Sequence, residues 1–206
     1  MRLRFIIPAV IAFVISLAII FLRPETAVVD LPEKGTNIIA FGDSLVTGYG
    51  LTTVGDDFVS LLSKRTGSQI INAGLNGDTT GSALSRLEKD VLSQDPRIVI
   101  VLLGGNDALR HVPVEETFRN LGAIIDGIHA KGSAVILVGV KGSFFGDKYD
   151  NEFDRLADAK KVNYIPDILK GLFGHADLMT DAIHPNARGH AIMADRIEPV
   201  LKKLLE

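Results

Sequence analysis

Residues 37–50 read NIIAFGDSLVTGYG, and the fold turns on how this stretch divides. Asn37–Phe41 is apolar at nearly every position, not at every second one. That pattern belongs to a strand buried on both faces, as in a parallel sheet. Gly42 then permits a tight turn, which leaves Ser44 just past the strand end. A helix N-cap or turn is the ordinary use of serine at such a junction. The other reading is a hydroxyl projecting from the sheet edge toward solvent. The α/β-hydrolase elbow G-x-S-x-G needs glycine at position 46, where Val46 stands, so that fold is disfavoured.

Four further runs share the Val/Ile/Leu character of the first: Gln69–Asn72, Ile98–Leu103, Ala134–Val138 and Val162–Ile165. Helical spacing separates them. One helix starts at Asp56 and Asp57, carries Phe58, Leu61 and Leu62, and ends with Lys64 and Arg65 before Gly67. The next shows Leu84, Leu87 and Val91 and stops before Pro96. A third has Phe118, Leu121, Ile125 and Ile128 and closes at Gly132. The last is predicted to begin at Pro185 and carries Ala187, Ala191, Ala194, Ile197, Leu201 and Leu204. Such alternation predicts a five-stranded parallel sheet covered by helices on both faces.

The 206 residues suit one domain plus a short extra segment. Phe5 to Leu22 is uncharged and almost wholly apolar, with Arg2 and Arg4 before it and Arg23 after. Its 18 residues exceed a signal-peptide core of about 7–15 and just suffice for a membrane-spanning helix. Ala27 has Glu25 two residues ahead, a poor cleavage context. Residues 1–23 are therefore expected to be an uncleaved anchor, with a cleaved signal as the alternative, and residues 24–35 a linker. The arginine bias puts the N-terminus in the cytoplasm and residues 36–206 on the extracytoplasmic, periplasmic side. A cleaved segment would instead make the protein secreted. Without residues 1–23, 19 basic side chains face 25 acidic ones, and no Lys/Arg run remains. A nucleic-acid partner is not expected. Cysteine is absent, which removes disulfides and thiol nucleophiles from consideration.

Functional groups of such a sheet gather where its strands end. The second strand leads into NAGLNGDTTG, where Gly74 and Gly77 either form a plain glycine turn or allow close backbone approach, amides near a helix start being able to bind developing negative charge. The spacing fits neither a dinucleotide fingerprint nor a phosphate-binding loop, so no cofactor is expected. The third leads into LLGGNDALR, where Asn106 can offer a carboxamide or, as asparagine in a turn commonly does, satisfy its own backbone. The fifth leads to DAIHPNARGH, residues 181–190. In a turn, Asp181 and His184 are neighbours, and an acid–imidazole pair makes two thirds of a hydrolytic triad. A metal site from Asp181, His184 and His190 lacks further ligands, and none is expected. His190 falls on the core side of the last helix, while His111, His129 and His175 suggest no chemistry.

Four ordered blocks, GDSL at 42–45, NGDTT at 76–80, GGND at 104–107 and DAIHPN at 181–186, resemble those of the SGNH or GDSL-type hydrolases. The similarity spans nearly all of residues 36–204 and is strongest to the arylesterase, thioesterase and lysophospholipase branch. The resemblance implies a three-layer, flavodoxin-like α/β/α sandwich. It implies Ser44 as nucleophile, His184 as its base and Asp181 as the group orienting His184. The amides of Ser44 and Gly77 and the side chain of Asn106 would form the oxyanion hole. It also implies that loops Asp107–Pro113 and Lys141–Tyr149 shape the acyl groove. The expected reaction is hydrolysis of a small-molecule or lipid carboxylic ester or thioester. Alternatives are O-deacetylation or acyl transfer on envelope glycans, or a tethered binding protein with a decayed site.

Overall fold

The computed structural model describes residues 29–141 and 147–206. The expected anchor, residues 1–23, lies outside the described residues, as does most of the expected groove loop Lys141–Tyr149. No described helix is long and apolar enough to cross a membrane.

In chain order the elements are β1 (Asn37–Gly42), α1 (Ser44–Thr47), α2 (Phe58–Thr66), β2 (Ile70–Gly74) and α3 (Thr80–Asp90). They continue with β3 (Pro96–Leu102), α4 (Gly105–Leu109), α5 (Val114–His129) and β4 (Ala134–Val138). The last three are α6 (Asp147–Lys160), β5 (Asn163–Ile165) and α7 (Ala187–Leu205). The five strands form one sheet in the order β2-β1-β3-β4-β5, parallel throughout. All five strands overlap the runs read from sequence, with bounds within two residues. Alternate residues of the strands divide the core into two layers. Ile38, Ala40, Ile98, Ile100 and Leu102 meet α2 and α7, whereas Ile39, Phe41, Val99 and Val101 meet α3, α5 and α6. Full burial of each Ile, Leu, Val or Phe side chain among these is worth about 1.5–3 kcal/mol.

Asp57 caps α2 by accepting the Ser60 amide, and Gly67 ends it in the left-handed conformation. Helix α7 differs from its expected start. Pro185 pairs with Met179 in an isolated antiparallel bridge, and Asn186 is the cap, accepting the Arg188 and Gly189 amides. With Pro185 held in that bridge, the helix begins only where a side chain can take up its free amides. Sequence periodicity also missed α6. Its buried residues Tyr149, Phe153 and Ala157 recur every fourth position, but charged residues fill most of the rest.

From Val29 the stretch expected to be a linker is tied to the domain. The Val29 amide donates to Asn163 Oδ1, Asp30 Oδ2 accepts the Val135 amide, and the Glu33 and Lys34 amides donate to the Gly132 carbonyl. These contacts lie where β4 and β5 begin, at the sheet edge opposite Ser44.

His190 is buried in α7, where its Nδ1 accepts the Phe58 amide at 3.3 Å and its ring stacks on Phe58. Burial drives its pKa down to about 4, with the His184 charge adding and Asp57 opposing. The unfolded chain binds this proton near pH 6.5 and the native state does not. Stability from the neutral ring is therefore complete above about pH 6.5 and lost as pH falls toward 4. His190→Asn keeps an acceptor without the titration, and its melting temperature should fall less steeply across that interval. Parallel profiles for the two proteins would remove His190 as a source of acid lability.

Candidate active site

Strand register sets the site's frame. Gly42 pairs with Gly74 of β2 and Leu102 of β3, so three strand ends stand level. Their loops leave the sheet side by side. A Cβ on Gly42 would lie 2.2 Å from the Leu102 carbonyl oxygen, so only glycine fits there. Asp43 then caps α1, its Oδ1 accepting the Leu45 amide at 3.0 Å, and Ser44 becomes the first helical residue. The Leu75 amide bonds back to the Gly42 carbonyl, which seats the turn holding Gly77 beside α1. Gly77 sits at φ +75°, a conformation that suits glycine.

His184 arrives on a closed loop. The Thr180 amide donates to the His184 carbonyl, and the Asn186 amide to that of Leu178. Within the loop, Asp181 Oδ1 accepts the amides of Ile183 at 2.8 Å and His184 at 2.7 Å. Its Oδ2 lies 2.7 Å from His184 Nδ1, and His184 Nε2 lies 3.1 Å from Ser44 Oγ. The Ile183 amide, followed by the imidazole, holds the Asp181 pKa down at about 2. An ionised carboxylate at Nδ1 favours the tautomer with its proton there, leaving the Nε2 lone pair for the hydroxyl. Tyr49 covers the imidazole, ring centroids 4.7 Å apart.

A pocket opens in front of Ser44. Ser44, Asn106, Asp43 and His184 form its polar end, and Leu45, Leu109, Val140, Leu169 and Phe173 are among its apolar walls. Asn106 Nδ2 donates to Asp43 Oδ2 at 3.2 Å and to the Asp78 carbonyl at 3.0 Å. Both amide hydrogens are thus engaged on protein acceptors, and the longer bond is the one more easily traded for a substrate oxygen. Gly77 is not among the pocket walls. It stands on the adjoining turn, its carbonyl accepting Arg110 Nη2 at 2.8 Å. The structure therefore joins Ser44, His184 and Asp181 directly, sets Asn106 beside them, and places Gly77 on the adjoining turn. Of the groove loops expected from resemblance, Asp107–Leu109 is helical, and Leu109 reaches the pocket.

His190 turns to Phe58, away from the Asp181–His184 pair. Among the described residues no three His, Asp or Glu side chains gather as a metal site would need.

The sequence model of the GDSL-like Lipase/Acylhydrolase family matches residues 40–192. The chain belongs to that family. Esterase TesA of Pseudomonas aeruginosa is 31% identical over 179 residues, covering 82% of this chain and 89% of that one. Thioesterase 1/protease 1/lysophospholipase L1 of Escherichia coli strain K12 is 28% identical, covering 82% and 84%. The crystal structure of the psychrotrophic esterase EstA from Pseudoalteromonas, inhibited by monoethylphosphonate, superposes with a TM-score of 0.73. It is 28% identical and covers 82% of this chain and 98% of its own. All four GDSL-family blocks fall inside the matched span.

Sequence reasoning gave no role to Asp43, although it stands inside the GDSL block. Its signal was an acid two residues before the amide it caps, a common turn device. Burial pushes its pKa up to about 7, with the Asp78 charge adding and the Leu45 amide, His184 and Asn106 opposing. The native state keeps this proton up to about pH 7, whereas the unfolded chain releases it near pH 4. Ionising Asp43 thus costs stability progressively as pH rises between those values. Asp43→Asn escapes that cost, so its melting temperature relative to wild type should climb from pH 4 to 7 and level off above. One amide oxygen must then serve both Leu45 and Asn106, and turnover should drop. A stability difference independent of pH would contradict the buried titration.

Proposed function

We propose that this chain hydrolyses carboxylic esters or thioesters through an acyl-enzyme on Ser44. That it is a serine ester hydrolase follows from its family and from relatives named esterase, thioesterase and lysophospholipase. The observation carrying the proposal is the unbroken chain from Ser44 Oγ through His184 to Asp181.

Ser44 Oγ attacks the carbonyl carbon while His184 Nε2 takes the hydroxyl proton. Asp181 stabilises the resulting imidazolium and holds the ring in place. The carbonyl oxygen becomes an oxyanion, met by the amides of Ser44 and Gly77 and by Asn106 once its bond to Asp43 yields. Collapse breaks the ester bond, and the alcohol or thiol leaves with the proton from His184. Water, activated by the same imidazole, releases the acid and frees Ser44. The apolar wall from Leu45 to Phe173 suits the acyl group. The phosphonate-inhibited esterase relative supports testing with organophosphorus probes.

A fluorophosphonate should label Ser44 and no other serine, and Ser44→Ala should lose labelling and turnover together. Asn106→Ala should lower kcat by about 10²–10³-fold with KM moving only a few-fold, since its donation strengthens in the transition state. Persistent labelling of Ser44→Ala, or normal kcat in folded Asn106→Ala, would overturn the corresponding role.

The apolar run at residues 5–22 supports placing the domain outside the cytoplasm on a retained N-terminal tether. Full-length protein should then sediment with membranes, and protease added to spheroplasts should digest the domain. A soluble mature form beginning near Ala27 would replace the tether with a cleaved signal.

A further inference from the structure

Helix α3 sends Arg86 beneath the loops that carry Ser44 and Gly77, its side chain only 14% exposed. Nε and Nη2 both reach Asp78 Oδ2, at 2.8 and 2.7 Å. Nη1 donates to the Ala73 carbonyl at 2.9 Å and to Asp90 Oδ2 at 3.0 Å. Nη2 also donates to the Gly42 carbonyl at 3.1 Å. A guanidinium has five N–H hydrogens in a fixed plane, and here four of them donate while Nη2 also pairs with the Asp78 carboxylate. The Phe41 ring lies against that plane, 4.3 Å from the guanidinium carbon.

These acceptors are distinguished by what they adjoin. Gly42 stands two residues before Ser44, and Ala73 is the last residue but one of the neighbouring strand. Asp78 follows Gly77, and its carbonyl holds the Asn106 amide. The Asp78 carboxylate is fully buried and also accepts Ser82 Oγ. One rigid cation therefore spans the ends of β1 and β2 and the turn between Gly77 and α3.

We propose that Arg86 is a positioning residue for ester hydrolysis. Its guanidinium fixes the spacing between the Ser44 turn and the Asn76–Asp78 turn, and so aligns the donors that meet the oxyanion. This rests on the roles of Ser44, Gly77 and Asn106 proposed above. Such donors work within a few tenths of an ångström, and misplacement by about 1 Å can cost about 10²-fold in rate. Arg86 itself touches no reacting atom.

Arg86→Lys tests this, because an ammonium keeps a charge beside Asp78 but cannot span four acceptor groups. Turnover of a p-nitrophenyl ester would be measured well below the variant's melting temperature, with active sites counted by fluorophosphonate titration. The expected result is a fall in kcat per titrated site of about 10–100-fold, with KM within about threefold. Lys89→Gln, removing an exposed cation from the same helix, should leave kcat within about twofold. A merely structural Arg86 would lower melting temperature and the titrated fraction while kcat per site stayed normal, and that result overturns the proposal. Should Arg86→Lys fail to fold, the Arg86→Met/Asp78→Asn pair removes both buried charges. The same kcat loss is expected there, and normal kcat again overturns it. Ser44→Ala separates the two levels. If it hydrolyses normally the site reading fails, and if it is dead while Arg86→Lys turns over normally only the Arg86 proposal fails.

Discussion

At the end of β1 the backbone of β3 comes so near that Gly42 has no room for a side chain. Much follows from that approach. With Gly42 level with Gly74 and Leu102, the loops after β1, β2 and β3 emerge abreast. In the order β2-β1-β3-β4, the connections that leave β1 and β3 run in opposite directions and open a crevice between their ends. A larger residue at 42 would force β1 and β3 apart where Ser44 and Asn106 must face one pocket. The hydroxyl and the carboxamide meet because two parallel strands can touch.

Three carboxylates are buried around this crevice, Asp43, Asp78 and Asp107. Burying charge is expensive unless it is answered, and each is answered differently. Asp78 faces a guanidinium. Asp43 remains protonated up to about pH 7 and uses both oxygens, one on the Leu45 amide and one on Asn106. Asp107 accepts the amide and hydroxyl of Thr80 at the start of α3, and Thr117 Oγ1 from α5. Apolar packing alone tolerates small shifts between layers, whereas a buried carboxylate with directional donors does not. Removing one partner of such a pair typically costs about 3–5 kcal/mol. The loops of the site are thereby pinned from below, and their upper surfaces stay open to the pocket.

The strands were legible because burial on both faces leaves almost no polar residue in them, a signal that needs no tertiary knowledge. Helices α2, α3 and α5 showed clear apolar stripes with recognisable ends. Helix α6 did not, because its inward face is one residue wide and depends on Tyr149, whose hydroxyl donates to the Gly104 carbonyl. The beginning of α7 was misplaced because proline suits a first helical turn, and nothing local reveals that Met179 will pair with Pro185. Asp181 and His184 were readable as a pair from their spacing. Ser44 became their partner only through resemblance, since the alignment of strand ends is a three-dimensional fact. Asp43 showed only the local signal of a turn cap, and Asp78 and Arg86 drew no role, because nothing in their spacing reveals that the two side chains will meet beneath the Ser44 turn.

The acid–imidazole half of the site is built on the opposite plan. Asp181 keeps 45% of its side-chain surface in solvent, and His184 keeps 13%. Solvent would loosen this pair if the carboxylate depended on the imidazole alone. Instead two backbone amides of its own turn hold Asp181, and the bridge between Met179 and Pro185 closes the loop below. Closing so short a loop costs little chain entropy. The pair is therefore a local object, complete before it meets Ser44, which lies 140 residues away. What brings it there is α7, whose Met193, Ala194 and Ile197 are buried against the sheet. His190, one turn into that helix, hooks the Phe58 amide and fixes its height against α2. A shift of α7 along the sheet would carry Asp181 and His184 together and leave their mutual bond intact. The 3.1 Å contact with Ser44 and the Tyr49 ring contact would break instead, so they report how α7 is seated as much as how the loop is folded.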